Sequence, residues 1–186
     1  CKSTVEASST TAALACVLDS DNLFGIPLTI SGTSITVGTE GEIGAGIGFN
    51  VDAWNNATRS LAPANATTYL LTIMKSNEDL VVMAIRLSGG TISNSTPVTV
   101  TTSGGSNGTR QGISNNLTSP NSFVIQYNDA KPNVVVGTLD DTTITLGTAF
   151  VTASSVTTIS SFTNIAQQSD TEAHCIGVFR SNAITG

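Results

Sequence analysis

The sequence predicts an all-β protein built as an antiparallel β-sandwich. Its 186 residues include 29 threonines and 22 serines, and Thr, together with Val and Ile, favours strands over helices. Apolar and polar residues alternate in several segments, as at Ile26, Leu28 and Ile30. A period of two buries one face of a strand and leaves the other wet, which is typical of antiparallel sheets packed face to face.

Short apolar runs separated by turn residues give the individual strands. Turn signals such as Ser31-Gly32, Gly89-Gly90 and Asp140-Asp141 stand between them. The predicted strands are Leu14–Leu18, Ile26–Ile30, Ser34–Val37, Ile47–Val51, Tyr69–Lys75, Leu80–Leu87, Thr91–Ser93, Val98–Thr101, Ser122–Tyr127, Asn133–Val136, Thr142–Thr152, Val156–Phe162 and His174–Arg180. Two segments, Val51–Arg59 and Ile165–Glu172, could instead form short helices, although neither has a clear apolar stripe.

The chain length fits one domain, which we expect to span residues 14–186. Residues 1–13 are small and polar, and Val5 is their only large apolar side chain. We therefore expect this segment to be an N-terminal extension and not a core strand. The sequence shows no internal repeat and no linker that would divide two domains.

Charge and hydropathy exclude several classes of function. Charged residues make up 11% of the chain and the net charge is -6, so no basic patch is available to bind nucleic acid or an anionic membrane surface. No apolar run reaches the length of a transmembrane helix. Because the chain begins at Cys1 without a basic and apolar leader, we interpret it as a mature secreted or cell-surface form whose signal peptide has been removed.

The three cysteines predict one disulfide and one odd cysteine. Pairing of Cys16 with Cys175 would join an early strand to the last one and constrain the unfolded chain most strongly. Pairing of Cys1 with either of the other two is also compatible with the sequence. Cys1 could carry a lipid, as in bacterial lipoproteins, or could simply be where the ordered chain begins.

Five Asn-x-Ser/Thr sequons fall in turn-like stretches between apolar runs, where an attached sugar can leave the surface. We therefore expect covalently attached N-glycans in the middle third of the chain. The predicted glycosylation sites are Asn56, Asn65, Asn94, Asn107 and Asn116.

The chain offers no set of residues suited to catalysis, so we expect neither an enzyme nor a bound cofactor or metal. His174 is the only histidine, and no Gly-x-Ser-x-Gly motif accompanies it. The glycine-rich segment 41–48 lacks the spacing and the lysine of a phosphate-binding loop. Asp19-Ser20-Asp21-Asn22 could supply oxygen ligands to calcium, but a capped turn explains these residues more simply.

This combination resembles surface-filament subunits, above all the archaeal pilins that polymerise by donor-strand complementation. The shared features are a mature N-terminal tail, a Thr- and Val-rich sandwich with few charges, and clustered sequons. The resemblance implies a pilin-like or Ig-like sandwich with an extended N-terminal donor strand, which pairs with an identical subunit and yields a head-to-tail fibre. One face of that donor strand would carry Val5, Ala7, Ser9, Thr11 and Ala13.

We therefore expect a structural subunit of an extracellular glycosylated filament with a role in adhesion or biofilms. Two alternatives remain open on the sequence alone. One is a secreted or lipid-anchored lectin-like module, with Trp54 and Tyr69 as sugar-stacking candidates. The other is a hydrolase on a β-sandwich that uses carboxylates from Glu40/Glu42, Glu78/Asp79 or Asp140/Asp141.

Overall fold

A computed structural model confirms that the protein is all-β and that every paired strand is antiparallel to its neighbour. It describes residues 2–7, 12–19, 22–49, 60–88, 90–102, 111–115, 122–129, 131–151, 159–162 and 179–181. Within these ranges there is no helix, and hence no helix that could cross a membrane. The two segments that could have been helices, Val51–Arg59 and Ile165–Glu172, lie outside the described residues.

The strands form three five-stranded sheets and one strand pair. Sheet I contains β1 (Lys2–Ala7), β2 (Ala12–Asp19), β3 (Asn22–Ser31), β4 (Ser34–Val37) and β5 (Gly41–Ile43). Sheet II contains β6 (Leu61–Pro63), β7 (Thr68–Met74), β8 (Leu80–Ser88), β9 (Thr91–Asn94) and β10 (Val98–Thr101). Sheet III contains β11 (Gln111–Asn115), β12 (Ser122–Asp129), β13 (Lys131–Asp140), β14 (Thr143–Leu146) and β15 (Phe150–Val151). The separate pair is β16 (Ile159–Phe162) with β17 (Phe179–Ser181).

Each sheet has the same order of strands, so the chain contains a structural repeat that the sequence analysis missed. In every sheet the first strand pairs with the second, and the second pairs with the long third strand. The fourth strand returns through a tight turn along the end of the third, and the fifth pairs with its beginning. The prediction of no internal repeat is therefore wrong.

The registers define equivalent positions in the three sheets. In the third and fourth strands, the pair Ile30↔Ile35 of sheet I corresponds to Leu87↔Ile92 of sheet II and to Leu139↔Ile144 of sheet III. In the third and fifth strands, Gly25↔Gly41 corresponds to Val82↔Val98 and to Val134↔Phe150. Because both sets of pairs agree, a residue of one sheet can be compared directly with its equivalents in the others.

The three sheets stack face to face, one layer more than an ordinary sandwich has. Sheet II is the central layer, and all seven residues of β7 are buried. One face of sheet II, with Tyr69 and Met83, packs in a single core with Leu14 and Leu23 of sheet I. The opposite face, with Leu70, packs in a second core with sheet III. A strand buried on both faces is apolar without alternation, as in the segment Leu70–Met74.

Every sheet therefore has two faces that can be told apart. We call the face that turns toward the preceding sheet the front face and the opposite one the back face. Val81, Met83 and Ile85 lie on the front face of sheet II, whereas Leu80, Val82 and Ala84 lie on its back face. By the registers, Phe24, Ile26 and Leu28 lie on the front face of sheet I, which no other sheet covers among the described residues.

The N-terminal segment differs from the free arm that we expected. Lys2–Ala7 pairs with β2 of the same chain, and Ala7 is directly opposite Ala13. The boundary expected between residues 13 and 14 also falls inside β2. The sequence pattern suggested a free arm because this segment has few large apolar residues, but an edge strand can be held through its backbone N–H and C=O groups alone.

Other strands are confirmed with shifted ends or are corrected. Ser34–Val37 and Val98–Thr101 match the prediction, but the predicted strand Thr142–Thr152 is two strands, β14 and β15. The predicted strand Ile47–Val51 contains only an isolated bridge from Phe49 to Lys75 in its described part. Three short strands were missed: β5 and β6 have three residues each, too few for an alternation pattern, and β11 has only one large apolar residue, Ile113.

The packing of sheet III requires a glycine at one position, and this gives a first prediction. Gly137 is directly opposite Phe123, and a Cβ built on Gly137 would overlap the buried Phe123 ring. Gly137→Ala should therefore lower the free energy of unfolding by about 1–3 kcal/mol through overpacking, measured by urea denaturation.

Thr138→Ala is the matched control, since Thr138 is the next residue of β13 and is exposed. This control should change stability by about 0.5 kcal/mol or less. Adding Phe123→Leu to Gly137→Ala should recover part of the loss, because a smaller side chain leaves room for the methyl group. Equal stability of Gly137→Ala and the wild type would contradict the observed packing.

Candidate functional site

Two of the five predicted glycosylation sites lie in the described residues, and both are exposed. Asn65 stands in the turn between β6 and β7, where its Oδ1 accepts hydrogen bonds from the backbone N–H groups of Thr67 (3.0 Å) and Thr68 (2.9 Å). Asn94 is the last residue of β9, and its Nδ2 donates to the carbonyl of Ser95 at 3.4 Å. Both side chains are accessible for modification. Asn56, Asn107 and Asn116 lie outside the described residues.

Cys16 is completely buried between sheets I and II and forms no disulfide within the part of the chain that the structure describes. Burial disfavours the thiolate and raises the pKa of this thiol far above its usual range. A buried neutral thiol behaves as a small apolar side chain, and Cys16 contributes to the core in that way. Cys1 and Cys175 lie outside the described residues, so the pairing of Cys16 with Cys175 stays a prediction.

The carboxylates considered for a hydrolase lie in turns and at strand ends. Glu40, Glu42 and Glu78 are exposed. Oδ2 of Asp79 lies 3.7 Å from Nζ of Lys75. Oδ1 of Asp141 lies 2.7 Å from Nη1 of Arg86, and the two side chains form an ion pair. No group of three or more His, Cys, Asp or Glu side chains that could hold a metal ion occurs in the described ranges.

Only some of the remaining candidate binding residues lie in the described part of the chain. Tyr69 is 0% exposed, so it cannot stack on a sugar, and Trp54 and His174 lie outside the described residues. Asp19 and Asn22 form the last pair between β2 and β3, and Ser20 and Asp21 lie outside the described residues. Gly44 has a φ of 63° in a bend after β5, so the glycine-rich segment turns the chain and does not form a continuous strand.

The exposed large hydrophobic residues of the described part lie at the two ends of the stack. Ile35 (63% exposed) and Val37 (65%) are on β4, and they share the front face of sheet I because they pair with Ile30 and Leu28. We call Ile35 and Val37 the front strip. Large contiguous apolar patches on a protein surface mark interaction sites, whereas a few exposed apolar side chains are common.

A second exposed apolar strip lies on the back face of sheet III, although other residues of this face are buried: Val124 is 0% exposed and Val134 is 8% exposed. Val136 is 37% exposed and Phe150 is 63% exposed. Phe150 pairs with Val134, and both lie on the back face of sheet III. We call Val136 and Phe150 the back strip. Val151 is also exposed (52%) at the edge of this sheet. The composition could not reveal these residues, because only the registers show which face each one occupies.

The equivalents of Ile35 are covered to different extents inside the molecule, whereas Val37 is equivalent to the exposed Asn94 in sheet II and to the partly buried Leu146 in sheet III. Ile92 and Ile144 occupy the position of Ile35 in sheets II and III. Ile92 is partly buried in the core between sheets I and II, and Ile144 is 8% exposed in the core between sheets II and III. The position of Ile35 is thus partly buried in sheet II, buried in sheet III and exposed in sheet I.

The predicted donor-strand residues do not form one continuous strand. Val5 and Ala7 belong to β1 and Ala13 belongs to β2, whereas Ser9 and Thr11 lie outside the described residues. In sheet I, β1 is the outermost strand and pairs only with β2. It is therefore an edge strand that hydrogen-bonds within its own chain.

No family model matches the chain, and comparisons with curated proteins and with solved structures find no significant similarity.

The burial of Cys16 predicts a loss of stability at alkaline pH. The thiol pKa is higher in the folded state than in the unfolded state. Its contribution is therefore fully present below the unfolded value of about 8.5 and is lost as the pH rises above it, by at most about 1.4 kcal/mol per pH unit. Urea denaturation at pH 7, 8.5 and 10 measures this loss.

Cys16→Ala is the control, since it lacks the titrating group while Tyr and Lys residues remain. It should be less stable at pH 7 because of the cavity, yet its stability should fall less between pH 8.5 and 10. With no reductant present, iodoacetamide should label Cys16 in urea, where the protein is unfolded, and should not label it in the folded protein. Labelling that requires a reductant as well would show that Cys16 is in a disulfide.

Proposed function

We propose that this protein is a structural subunit of an extracellular, glycosylated filament that assembles head to tail, with a role in adhesion or biofilms. The observation that carries this proposal is the pair of unlike apolar strips at the two ends of the stack. The finer fold prediction, a pilin-like or Ig-like sandwich completed by a donor strand, belongs to the same proposal. Identical subunits are the expected partners, and no cofactor is required.

The unlike ends support a fibre over a closed dimer. A contact between two different surfaces of identical subunits is heterologous, and it continues indefinitely unless the rotation between subunits closes a ring. The front strip is on sheet I and the back strip is on sheet III, so one subunit can use both at once. Few charges and a surface rich in Thr and Ser also suit a subunit that does not bind nucleic acid.

Purified full-length protein should form filaments at high concentration. Negative-stain microscopy and sedimentation at several protein concentrations measure this directly, and the filament fraction should rise with concentration above a threshold. A protein that remains monomeric at millimolar concentration would overturn the proposed function.

Donor-strand exchange is the assembly route that the pilin resemblance suggests. In it, β1 would leave its own β2 and pair with β2 of a neighbouring subunit, as in domain swapping. The edge position of β1 supports this route, because β2 is its only hydrogen-bonded neighbour among the described strands, although β1 also lies against β6 and would leave that contact too.

Locking β1 to its own chain tests this route. Val5 is directly opposite Ala15, so Val5→Cys with Ala15→Cys should form a disulfide within the hairpin. If exchange drives assembly, the oxidised variant stays monomeric and reduction restores filaments, as seen by sedimentation. Filaments formed equally by the oxidised and the reduced variant would exclude exchange and leave the filament function intact.

Glycosylation gives an independent prediction about the extracellular location. Protein isolated from its native source should carry N-glycans at Asn65 and Asn94, because both side chains are exposed. Glycopeptide mass spectrometry measures the occupancy. Thr67→Ala and Thr96→Ala should each remove the glycan from their own sequon only, and unmodified asparagine at both sites would contradict the proposed surface coat.

A further inference from the structure

We infer that the open edge of β4 pairs with the open edge of β1 in a second copy of this chain, so that sheet I continues from one subunit into the next. This inference rests on the proposed filament function and names the contact that joins consecutive subunits. The contact leaves β1 paired with its own β2 and in place beside β6, so it requires no strand exchange.

The strand β4 is an edge strand that is exposed on both faces. Among the described strands it pairs only with β3, and all of its residues, Ser34–Val37, are exposed. An edge strand presents a row of unpaired backbone N–H and C=O groups, which proteins often protect with charged residues, proline or a covering segment. Because β4 contains no charged residue and no proline, its edge is available to a further strand.

The equivalent strands of the other two sheets are less available. β9 ends at Asn94, a predicted glycosylation site, and a glycan at this position would obstruct an added strand. Ile144 of β14 is buried and Leu146 is partly buried in the core between sheets II and III. In β4, by contrast, Ile35 is 63% exposed and Val37 is 65% exposed. The fourth strand of sheet I is therefore the one that offers apolar residues at an open edge.

The backbone of β4 shows which of its residues face the open edge. The N–H of Gly38, directly after β4, donates to the carbonyl of Pro27 in β3 at 2.8 Å. Because the direction of hydrogen bonding alternates along an antiparallel strand, Thr36 bonds toward β3 as Gly38 does. The N–H and C=O groups of Ile35 and Val37 therefore point away from β3, toward the open edge.

The open edge of β1 matches that of β4 because sheet I has an even number of strands in its main path. In an antiparallel sheet, the residues that bond across one strand interface lie on the opposite face from those that bond across the next. The path β1-β2-β3-β4 has three interfaces, so the groups at its two outer edges belong to residues on the same face. One row of directly paired residues crosses the sheet on this front face: Val37, Leu28, Ala13 and Ala7.

Repetition of sheet I gives an antiparallel contact with continuous front faces. Since β4 runs opposite to β1, β1 of the next copy lies antiparallel to β4. Pairing of Ile35 with Val5 places every residue of β4 opposite a residue of β1 and joins apolar residues on one face. The charged residues Lys2 and Glu6 of β1 then lie opposite uncharged residues, so no like charges meet.

The filament favours β1 over a second β4 as the partner of this edge. Two β4 strands could pair across a two-fold axis, but such a contact is isologous and stops at a dimer. The contact between β4 and β1 is heterologous, because each added copy leaves one open β4 and one open β1 at the two ends. It therefore continues in one direction, as the proposed head-to-tail fibre requires.

Disulfide cross-linking of full-length protein tests the contact. Ile35→Cys and Val5→Cys are made as separate variants, mixed at equal concentration, and oxidised with oxidised glutathione under the conditions in which the wild type forms filaments. Paired residues that exchange backbone hydrogen bonds have Cα atoms about 5.5 Å apart, which suits a disulfide. We expect a covalent dimer whose 5–35 cross-linked peptide is found by mass spectrometry in the mixture and in neither variant alone.

Thr36→Cys mixed with Val5→Cys is the matched control. Thr36 is exposed on the same strand, but its partner Thr29 places it on the opposite face from Ile35. This mixture should therefore give no 5–36 peptide. Equal yields of the 5–35 and 5–36 peptides would show that the cross-links come from random collision and would overturn the assigned pairing.

Removal of one edge N–H gives a second measurement that does not need oxidation. Val37→Pro removes an N–H that points to the open edge, a position where a folded sheet tolerates proline. The critical concentration for filaments, measured by sedimentation, should rise about tenfold or more, because the opposite carbonyl loses its partner. Val37→Ala keeps this N–H and is the control, which should shift the critical concentration much less. Urea denaturation checks that both variants are folded.

The outcomes separate this inference from the proposed function. Filaments that form without the 5–35 cross-link, or that respond equally to Val37→Pro and Val37→Ala, would overturn the edge contact and leave the filament function standing. A 35–35 cross-link from Ile35→Cys alone would show pairing of two β4 edges and would also overturn it. Absence of filaments and of the cross-link would remove both. A 5–35 cross-link confined to the mixture, with weakened assembly of Val37→Pro, is the expected result.

Discussion

The burial of both faces of sheet II is the constraint on which the rest of the structure depends. All of β7 and the first six residues of β8 are buried and mostly apolar, so exposing either face to water would cost a large free energy. Sheet I covers the front face and sheet III covers the back face, and each of these outer sheets then has one apolar face of its own. A stack with a two-faced central layer therefore leaves apolar residues at its ends, which is where Ile35 and Phe150 lie.

Stacked repeats explain why the outer faces of sheets I and III differ. Each sheet has an isoleucine on the front face of its fourth strand, and the isoleucines of sheets II and III face the back faces of sheets I and II. Repeat proteins are stabilised by these nearest-neighbour interfaces, and their terminal units usually have polar outer faces that stop the stacking. Ile35 and Val37 on the front face of sheet I are apolar and exposed. At these two positions the face does not have the polar surface that usually ends an array of repeats.

The sequence predicts the all-β class and most of the long strands, because Thr and Val content and period-two alternation are local properties. It could not predict the three layers or the two strips, which depend on register. The signal of the repeat is nonetheless present: Ser31-Gly32-Thr33-Ser34-Ile35 corresponds to Ser88-Gly89-Gly90-Thr91-Ile92 and to Asp140-Asp141-Thr142-Thr143-Ile144. This similarity is easily missed, since Gly and Asp replace each other at the turn residue with positive φ (Gly32 and Asp141), and the flanking loops differ in length.

The pairing of β1 with β2 within one chain raises the free-energy cost of strand exchange between subunits. It does not affect packing between the exposed faces of two subunits. Exchange of β1 requires a formed hairpin to open, so its hydrogen bonds are first lost and then remade with a neighbour. Packing of the front strip requires no such opening, because Ile35 and Val37 are already exposed in the folded subunit. The two routes use different chemistry, backbone hydrogen bonds at a sheet edge in one and apolar side chains on a sheet face in the other. In the proposed filament, a contact through residues that are already exposed would therefore need no opening of the fold, whereas strand exchange would need β1 to leave both β2 and its place beside β6.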